Sequence, residues 1–213
     1  NAHLRASALL FAETSGSTPF RLSTHVGDVG HMLIVGPTGA GKSVLLAMMA
    51  MQFRRYQQAR IVLFDKGWSA RAAVLAMGGT HHALGVGHGE GGTLSFQPLR
   101  RVDEAAQRAW AVEWRATILE HEKVAVTPEI KDSLWSALLN LAGAPVPERT
   151  LTGLSLLIQS NAIKAALAPY TLEGPHGVML DAAEDKLELS DVQCFETETL
   201  LGQSGAVLPV LTY

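Results

Sequence analysis

Apolar positions change rhythm along this chain, and each change marks an element. Residues 8–35 carry short apolar runs. Leu9-Leu10-Phe11-Ala12 and Pro19-Phe20-Arg21-Leu22 flank the turn-rich Thr14-Ser15-Gly16-Ser17-Thr18 and predict short strands. Met32-Leu33-Ile34-Val35 predicts a buried strand, and Val44 to Met51 a helix extending over 43–58. Ile61-Val62-Leu63-Phe64-Asp65 is a continuous apolar run, the pattern of a parallel strand covered on both faces. Together they predict one βαβ unit whose parallel strands are joined by a right-handed crossover. A helix over 67–78, a glycine-rich tract from Gly78 to Gly92 and a short strand Thr93-Leu94-Ser95-Phe96 follow.

Past residue 100 the period becomes helical. Asp103 to Glu122 brings Ala106, Trp110, Trp114 and Ile118 to one face. Thr127-Pro128-Glu129 reads as an N-cap with proline in the first helical position; the helix carries Ile130, Leu134, Leu138 and Ala142 and ends near Gly143. Thr150 to Ala168 predicts a third helix, with Leu154, Leu157, Ile158, Ala162 and Ala165 inward and Pro169 as its stop. Trp110, Trp114 and Trp135 are expected in the core rather than as a base-stacking platform. A strand signal returns at Val178-Met179-Leu180-Asp181, a turn through Ala182 to Asp185 and Leu187-Glu188-Leu189 follow, Val192-Gln193-Cys194-Phe195-Glu196 is another strand, and Val207 to Tyr213 reads as a helix entered through Pro209. The expected organisation is an α/β core over 1–100, an all-α insertion over 101–171, and a return to the core over 172–213. The opening at Asn1 rather than methionine and the stop one turn into the last helix are expected of a fragment, incomplete at its C-terminus.

Between the run 32–35 and the helix after it stands Gly36-Pro37-Thr38-Gly39-Ala40-Gly41-Lys42-Ser43, a complete GxxxxGK(S/T) pattern. Strand, glycine-rich turn and helix N-terminus in that order are what phosphate binding requires. The glycines allow a partly left-handed backbone that turns N–H groups inward. The helix adds unsatisfied N–H groups and the positive end of its dipole. Lys42 would reach the β- and γ-phosphates, and the Ser43 hydroxyl would hold Mg²⁺. ATP or ADP with Mg²⁺ is therefore the expected ligand, bound by Gly36, Pro37, Thr38, Gly39, Ala40, Gly41, Lys42, Ser43 and Val44.

Composition narrows the partners. Apolar residues make up 47% and charged ones 17% of 213, a soluble globular composition rather than a disordered one. A net charge of −3 makes no electrostatic case for nucleic acid. Arg54, Arg55 and Arg60 read as the solvated end of the post-loop helix. Cys194 is the single cysteine, so no internal disulfide is possible, a reducing compartment fits, and a buried inert thiol is expected. No apolar stretch approaches the roughly 20 residues of a membrane span, and no charged-then-apolar leader opens the chain.

A nucleoside triphosphatase also needs a second, acidic site: an aspartate that holds Mg²⁺ through water and a glutamate that polarises the attacking water. Its signature, four apolar residues and then Asp-Glu, is missing. Asp65 ends a good strand but is followed by Lys66-Gly67; Asp181 is followed by two alanines, with Glu184 and Asp185 beyond. Asp65 reads either as a catalytic site-edge residue near the γ-phosphate, beside Lys42, or as a strand-ending structural aspartate. Asp181 reads as a turn residue. His81, His82 and His88 sit in a glycine-rich tract without the further ligands of a zinc site, and read as exposed loop histidines. Asp28 and Glu90 have no assignable partner.

Beyond the phosphate loop, further segments carry a family resemblance: His25 to His31, Phe64-Asp65-Lys66-Gly67, Ser95 to Leu99, Trp110 to Trp114, Arg149 to Thr152, Pro169 to Leu172, Phe195-Glu196 and Val207 to Tyr213. In that order they resemble the conjugal-transfer ATPases of the TrbE family, within the large ATPase family of type IV secretion systems. The resemblance implies a RecA-like, HerA/FtsK-type P-loop NTPase core with an all-α insertion. It implies ATP hydrolysis coupled to channel assembly or substrate transfer in conjugation. The implied setting is cytoplasmic, at the inner face of the bacterial inner membrane. Association there would be peripheral, through other secretion subunits, with a homo-oligomer, typically a hexamer, as the working form. It also implies that the acidic strand and the arginine-bearing motifs follow Tyr213. Three other readings compete. A DNA-translocating pump of the same superfamily predicts basic pore loops, a small-molecule kinase predicts an arginine-rich lid, and a binding module would use nucleotide only to order its fold.

Overall fold

The computed structural model describes residues 7–25, 29–85, 94–187 and 189–213, and the chain divides into two compact units. The first joins residues 1–82 to 189–196. It opens with a hairpin of β1 (Leu10–Glu13) and β2 (Pro19–Leu22), antiparallel with Leu10 opposite Leu22. Helix α1 (Lys42–Phe53), strand β3 (Ile61–Asp65), helix α2 (Arg71–Ala76) and strand β4 (Thr80–Ala83) follow, and β5 (Val192–Glu196) returns much later.

The sheet runs β3-β5-β4, with β3 and β5 parallel and Ile61 opposite Val192. Ala50 of α1 and Val74 of α2 pack with Ile61, Met77, Val192 and Cys194, with Phe53, Leu63 and Ala70 against them. Gly79 is pressed close to β5: a Cβ there would lie 2.5 Å from the Val192 carbonyl oxygen. Cys194 is buried as expected, and burial pushes its thiol up to about 11, so it stays protonated and inert at neutral pH.

Three expectations fail in this unit. The run 32–35 is not a buried strand: residues 31–37 form no regular element, with Leu33 87% and Val35 82% exposed. A strand holds only through ladder bonds to a neighbour, and these residues have none among the described residues. β3 pairs with β5, so the predicted βαβ unit does not form between 32–35 and 61–65. Nor is β3 covered on both faces, since Phe64 is 70% exposed, stacked on Phe195 at 5.5 Å. Arg54, Arg55 and Arg60 after α1 are exposed, as expected, and the first two also make contacts. Arg55 donates to the carbonyls of Ala8 and Leu9, and Arg54 to that of Met77, tying the end of α1 to the hairpin and to the end of α2.

The second unit joins residues 83–188 to 197–213. Its helices are α3 (Ala105–His121), α4 (Pro128–Leu141), α5 (Leu151–Leu157), α6 (Asn161–Leu167), α7 (Gly177–Leu180), α8 (Glu198–Leu201) and α9 (Ser204–Thr212). Trp114, Ile118 and Leu119 of α3 are buried, as are Leu134, Leu138 and Leu141 of α4. Thr127 caps α4 as its sequence predicts, its hydroxyl accepting from Ile130 N–H at 3.4 Å.

The expected single helix over 150–168 is broken. Ile158 turns extended (ψ 137°) to bury its side chain, and Ser160 restarts the chain as the N-cap of α6. Residues 178–180 form a helical turn rather than a strand, with Met179 and Leu180 buried and the Met179 carbonyl accepting from Phe96 N–H at 2.7 Å. Residues 94–97 form no regular strand, and Thr93 lies outside the described residues. Pro209 is inside α9, not at its entry. The missing N–H at Pro209 frees the Gly205 carbonyl, one turn back, and the Tyr170 hydroxyl meets it at 3.0 Å.

Candidate phosphate-loop site

The loop 36–41 reverses the chain through Gly39 (φ 82°) and Gly41 (φ 81°), a left-handed backbone that side chains disfavour. Gly41 is the N-cap of α1 and offers no side-chain oxygen, and the first turn holds no acid. The first N–H groups of this helix are thus left to whatever occupies the loop. Lys42 folds its stem back across the turn, its Nζ donating to the carbonyls of Gly36 at 2.8 Å and Pro37 at 2.7 Å. Thr38, Ala40 and Ser43 are exposed, and Val44 is too. The loop is therefore an open cradle with a cation across it.

Beside its helical end lies a cavity of about 140 Å³, lined by Ser43, Leu46, Phe64, Asp65 and Ser69 among others. Asp65 and the first turn of α1 thus share one space. The Asp65 carboxylate accepts from Ser69 Oγ and Ala70 N–H, both at 2.7 Å. Burial pushes its carboxyl up, but those hydrogen bonds outweigh burial and hold it below the usual range. It is ionised at neutral pH. Asp65 is both a cap for the α2 approach and a wall of the cavity.

Sequence reading missed Glu196. It ends β5 opposite Asp65 in the parallel register and is 1% exposed. Its carboxylate accepts from Gly67 N–H at 3.1 Å and Trp68 N–H at 2.7 Å. Those two residues turn through left-handed φ of 90° and 62°, unfavourable for tryptophan, and the carboxylate offsets that strain. An acidic pair absent from the linear chain is thus assembled across two strands. The signal was that both five-residue runs end in a carboxylate; their adjacency is not a local property.

The remaining candidates fall elsewhere. Asp181 belongs to the helical unit, where it is buried and accepts from Thr152 N–H at 3.0 Å and from the Thr152 hydroxyl. His81 and His82 are not exposed loop residues but half-buried positions of β4, His81 stacked on Trp68 at 5.1 Å and His82 on Phe195 at 5.2 Å. Burial and Arg71 lower the His81 pKa, against Glu196 and Asp65, so it is neutral at pH 7. Asp28, His88 and Glu90 lie outside the described residues. Among the described residues no cluster of three or more metal-ligating side chains occurs, and no helix is long and apolar enough to cross a membrane.

No protein-family model matches the chain. Curated relatives match nearly all of it. A probable conjugal transfer protein TrbE of Sinorhizobium fredii is 44% identical over 209 residues, 97% of this chain and 31% of that protein. The conjugal transfer protein TrbE of Rhizobium radiobacter is 44% identical over 212 residues, 98% of this chain and 26% of that protein. The type IV secretion system protein virB4 of Bartonella henselae is more distant, 25% identical over 187 residues, 86% of this chain and 23% of that protein. The chain spans less than a third of the length of these relatives. It is homologous along nearly its whole length to one segment of the TrbE conjugal transfer proteins and, more distantly, of virB4.

Proposed function

We propose that this chain is the nucleotide-binding portion of an ATPase that energises a conjugative type IV secretion system. The observation that carries the reading is the left-handed Gly39–Gly41 turn opening α1 with Lys42 folded over it. Kinship to TrbE supplies the system. In this reading the N–H groups at the start of α1 take the phosphate tail, and Lys42 exchanges the Gly36 and Pro37 carbonyls for phosphate oxygens. Ser43 and Asp65 present a hydroxyl and a carboxylate to one cavity, hard oxygen donors that suit Mg²⁺. Bound there, the ion would neutralise charge on the phosphates. The helices of 101–171 act as an insertion between the two stretches, 1–82 and 189–196, that make up the first unit. The working form is an oligomer at the inner face of the inner membrane, held by other secretion subunits.

The test is ATP binding and turnover by this chain beside a form of the relatives' full length. Binding by both with turnover only in the longer form supports the reading. No ATP binding by either form overturns it. Turnover by the 213-residue chain that Asp65→Asn abolishes moves water activation to the Asp65–Glu196 edge.

A further inference from the structure

The turn over residues 66–70 is gripped by carboxylates from two strands. Asp65, at the end of β3, holds its second half, accepting from Ser69 Oγ and Ala70 N–H at 2.7 Å each. Glu196, at the end of β5, holds its first half, accepting from Gly67 N–H at 3.1 Å and Trp68 N–H at 2.7 Å. The phosphate-loop chemistry uses only the first of these acids. Building on the reading of Ser43 and Asp65 as Mg²⁺ ligands, we propose that Glu196 is a positioning residue for Asp65: by locking the turn, it holds the Asp65 carboxylate at the cavity shared with Ser43.

Glu196 is 1% exposed and does not line that cavity, so it acts through the turn and not on a bound ion. Each of its oxygens takes one N–H, whereas an amide in its place could match only one of the two. The match matters because Gly67 and Trp68 adopt φ of 90° and 62°, a backbone that tryptophan disfavours. Other elements hold the Trp68 ring as well: it stacks on His81 of β4 at 5.1 Å, and the Arg71 guanidinium of α2 lies 5.6 Å over it.

Ser69 and Ala70 follow Trp68 directly, so the shape of the turn sets where the two Asp65 donors stand. One engages Oδ1 and the other Oδ2. A turn that relaxed would carry the carboxylate with it or release it. A carboxylate accommodates about four contacts, so accepting from the turn is compatible with meeting a cation. Hydrogen bonds to a ligating carboxylate fix its orientation, and losing such support typically costs about 10–100-fold in metal affinity.

Calorimetric titration of the 213-residue chain with ATP, in Mg²⁺ and in EDTA, gives the ratio of the two affinities. Glu196→Gln should lower that ratio about tenfold while leaving the affinity in EDTA within about twofold. Gly67→Ala should act in the same direction, and it carries the test if the buried substitution prevents folding. A Cβ at this exposed position meets nothing within 4 Å, so it disturbs the turn through φ alone. On an Asp65→Asn background, either substitution should change the ratio by less than about twofold. In the ligand-free chain, Glu196→Gln should shift the Asp65 carboxyl ¹³C resonance. Equal losses with and without Mg²⁺ would make Glu196 a support of the fold alone and overturn the proposal. An undiminished effect on the Asp65→Asn background, or an unmoved Asp65 resonance, overturns it too. All these outcomes leave wild-type ATP binding intact. Absent wild-type binding, or wild-type affinity indifferent to Mg²⁺, overturns instead the reading of Ser43 and Asp65 as ligands, and the proposal with it.

Discussion

At the scale of residues, Lys42 and Arg115 show two opposite uses of a cation. Lys42 engages two of its three ammonium donors on loop carbonyls at the surface, an arrangement easily exchanged for phosphate oxygens. Lys42→Ala is expected to abolish binding of the triphosphate tail in calorimetric titration while changing stability by no more than about 0.5 kcal/mol. Ser43→Ala should weaken Mg²⁺-nucleotide more than nucleotide alone; equal weakening would remove the metal role. Arg115 is buried, its three guanidinium nitrogens have no hydrogen-bond partner, and it lies 4.3 Å over the Trp114 ring. Burial pushes its pKa down to about 9, with Asp181 opposing only in part. A base whose folded pKa lies below its unfolded value costs stability while charged. That cost is complete below about pH 9 and fades as the pH rises above it towards the ordinary arginine range. Arg115→Met should therefore raise stability by about 1–4 kcal/mol at pH 7. The gain should shrink in urea titrations run above pH 9. A loss instead would mean that Trp114 and the field of Asp181 outweigh burial.

At the scale of elements, caps and breakers written into the sequence act where a local partner exists. Thr127 and Ser160 start α4 and α6 because each hydroxyl finds an N–H three residues on. Thr127→Ala should cost about 1 kcal/mol in urea unfolding. Pro209 would break α9 but for Tyr170, which comes from a distant segment and shares its single hydroxyl proton between the freed Gly205 carbonyl at 3.0 Å and Glu122 Oε1 at 2.6 Å. Tyr170→Phe is expected to cost about 1–3 kcal/mol. Adding Pro209→Ala, which returns an N–H to that carbonyl, should recover some of the loss. Strict additivity of the two substitutions would break the link between them.

At the scale of the molecule, the phosphate loop and the α3–α4 helices belong to different compact units. ATP with Mg²⁺ should slow amide exchange in residues 39–46 and 65–70, where the loop and the Asp65 cavity lie, and leave 128–141 unaffected. Uniform slowing would show that nucleotide acts on the whole chain rather than on one unit, and Lys42→Ala should erase either pattern.

Much of this protein was determined by local chemistry that the sequence carries by itself. The left-handed glycines before Lys42, the strands Ile61–Asp65 and Val192–Glu196, the Thr127 cap and the apolar faces of α3 and α4 follow from neighbours a few residues apart. Only the tertiary structure decided which elements are neighbours. It left residues 32–35 without a ladder, because an apolar run specifies burial but not a partner. It turned residues 178–180 into a helical turn, since packing Met179 and Leu180 outweighed a weak strand preference. It put Glu196 beside Asp65 and Gln97 beside Asp185, pairings between residues far apart in the chain that no local pattern encodes.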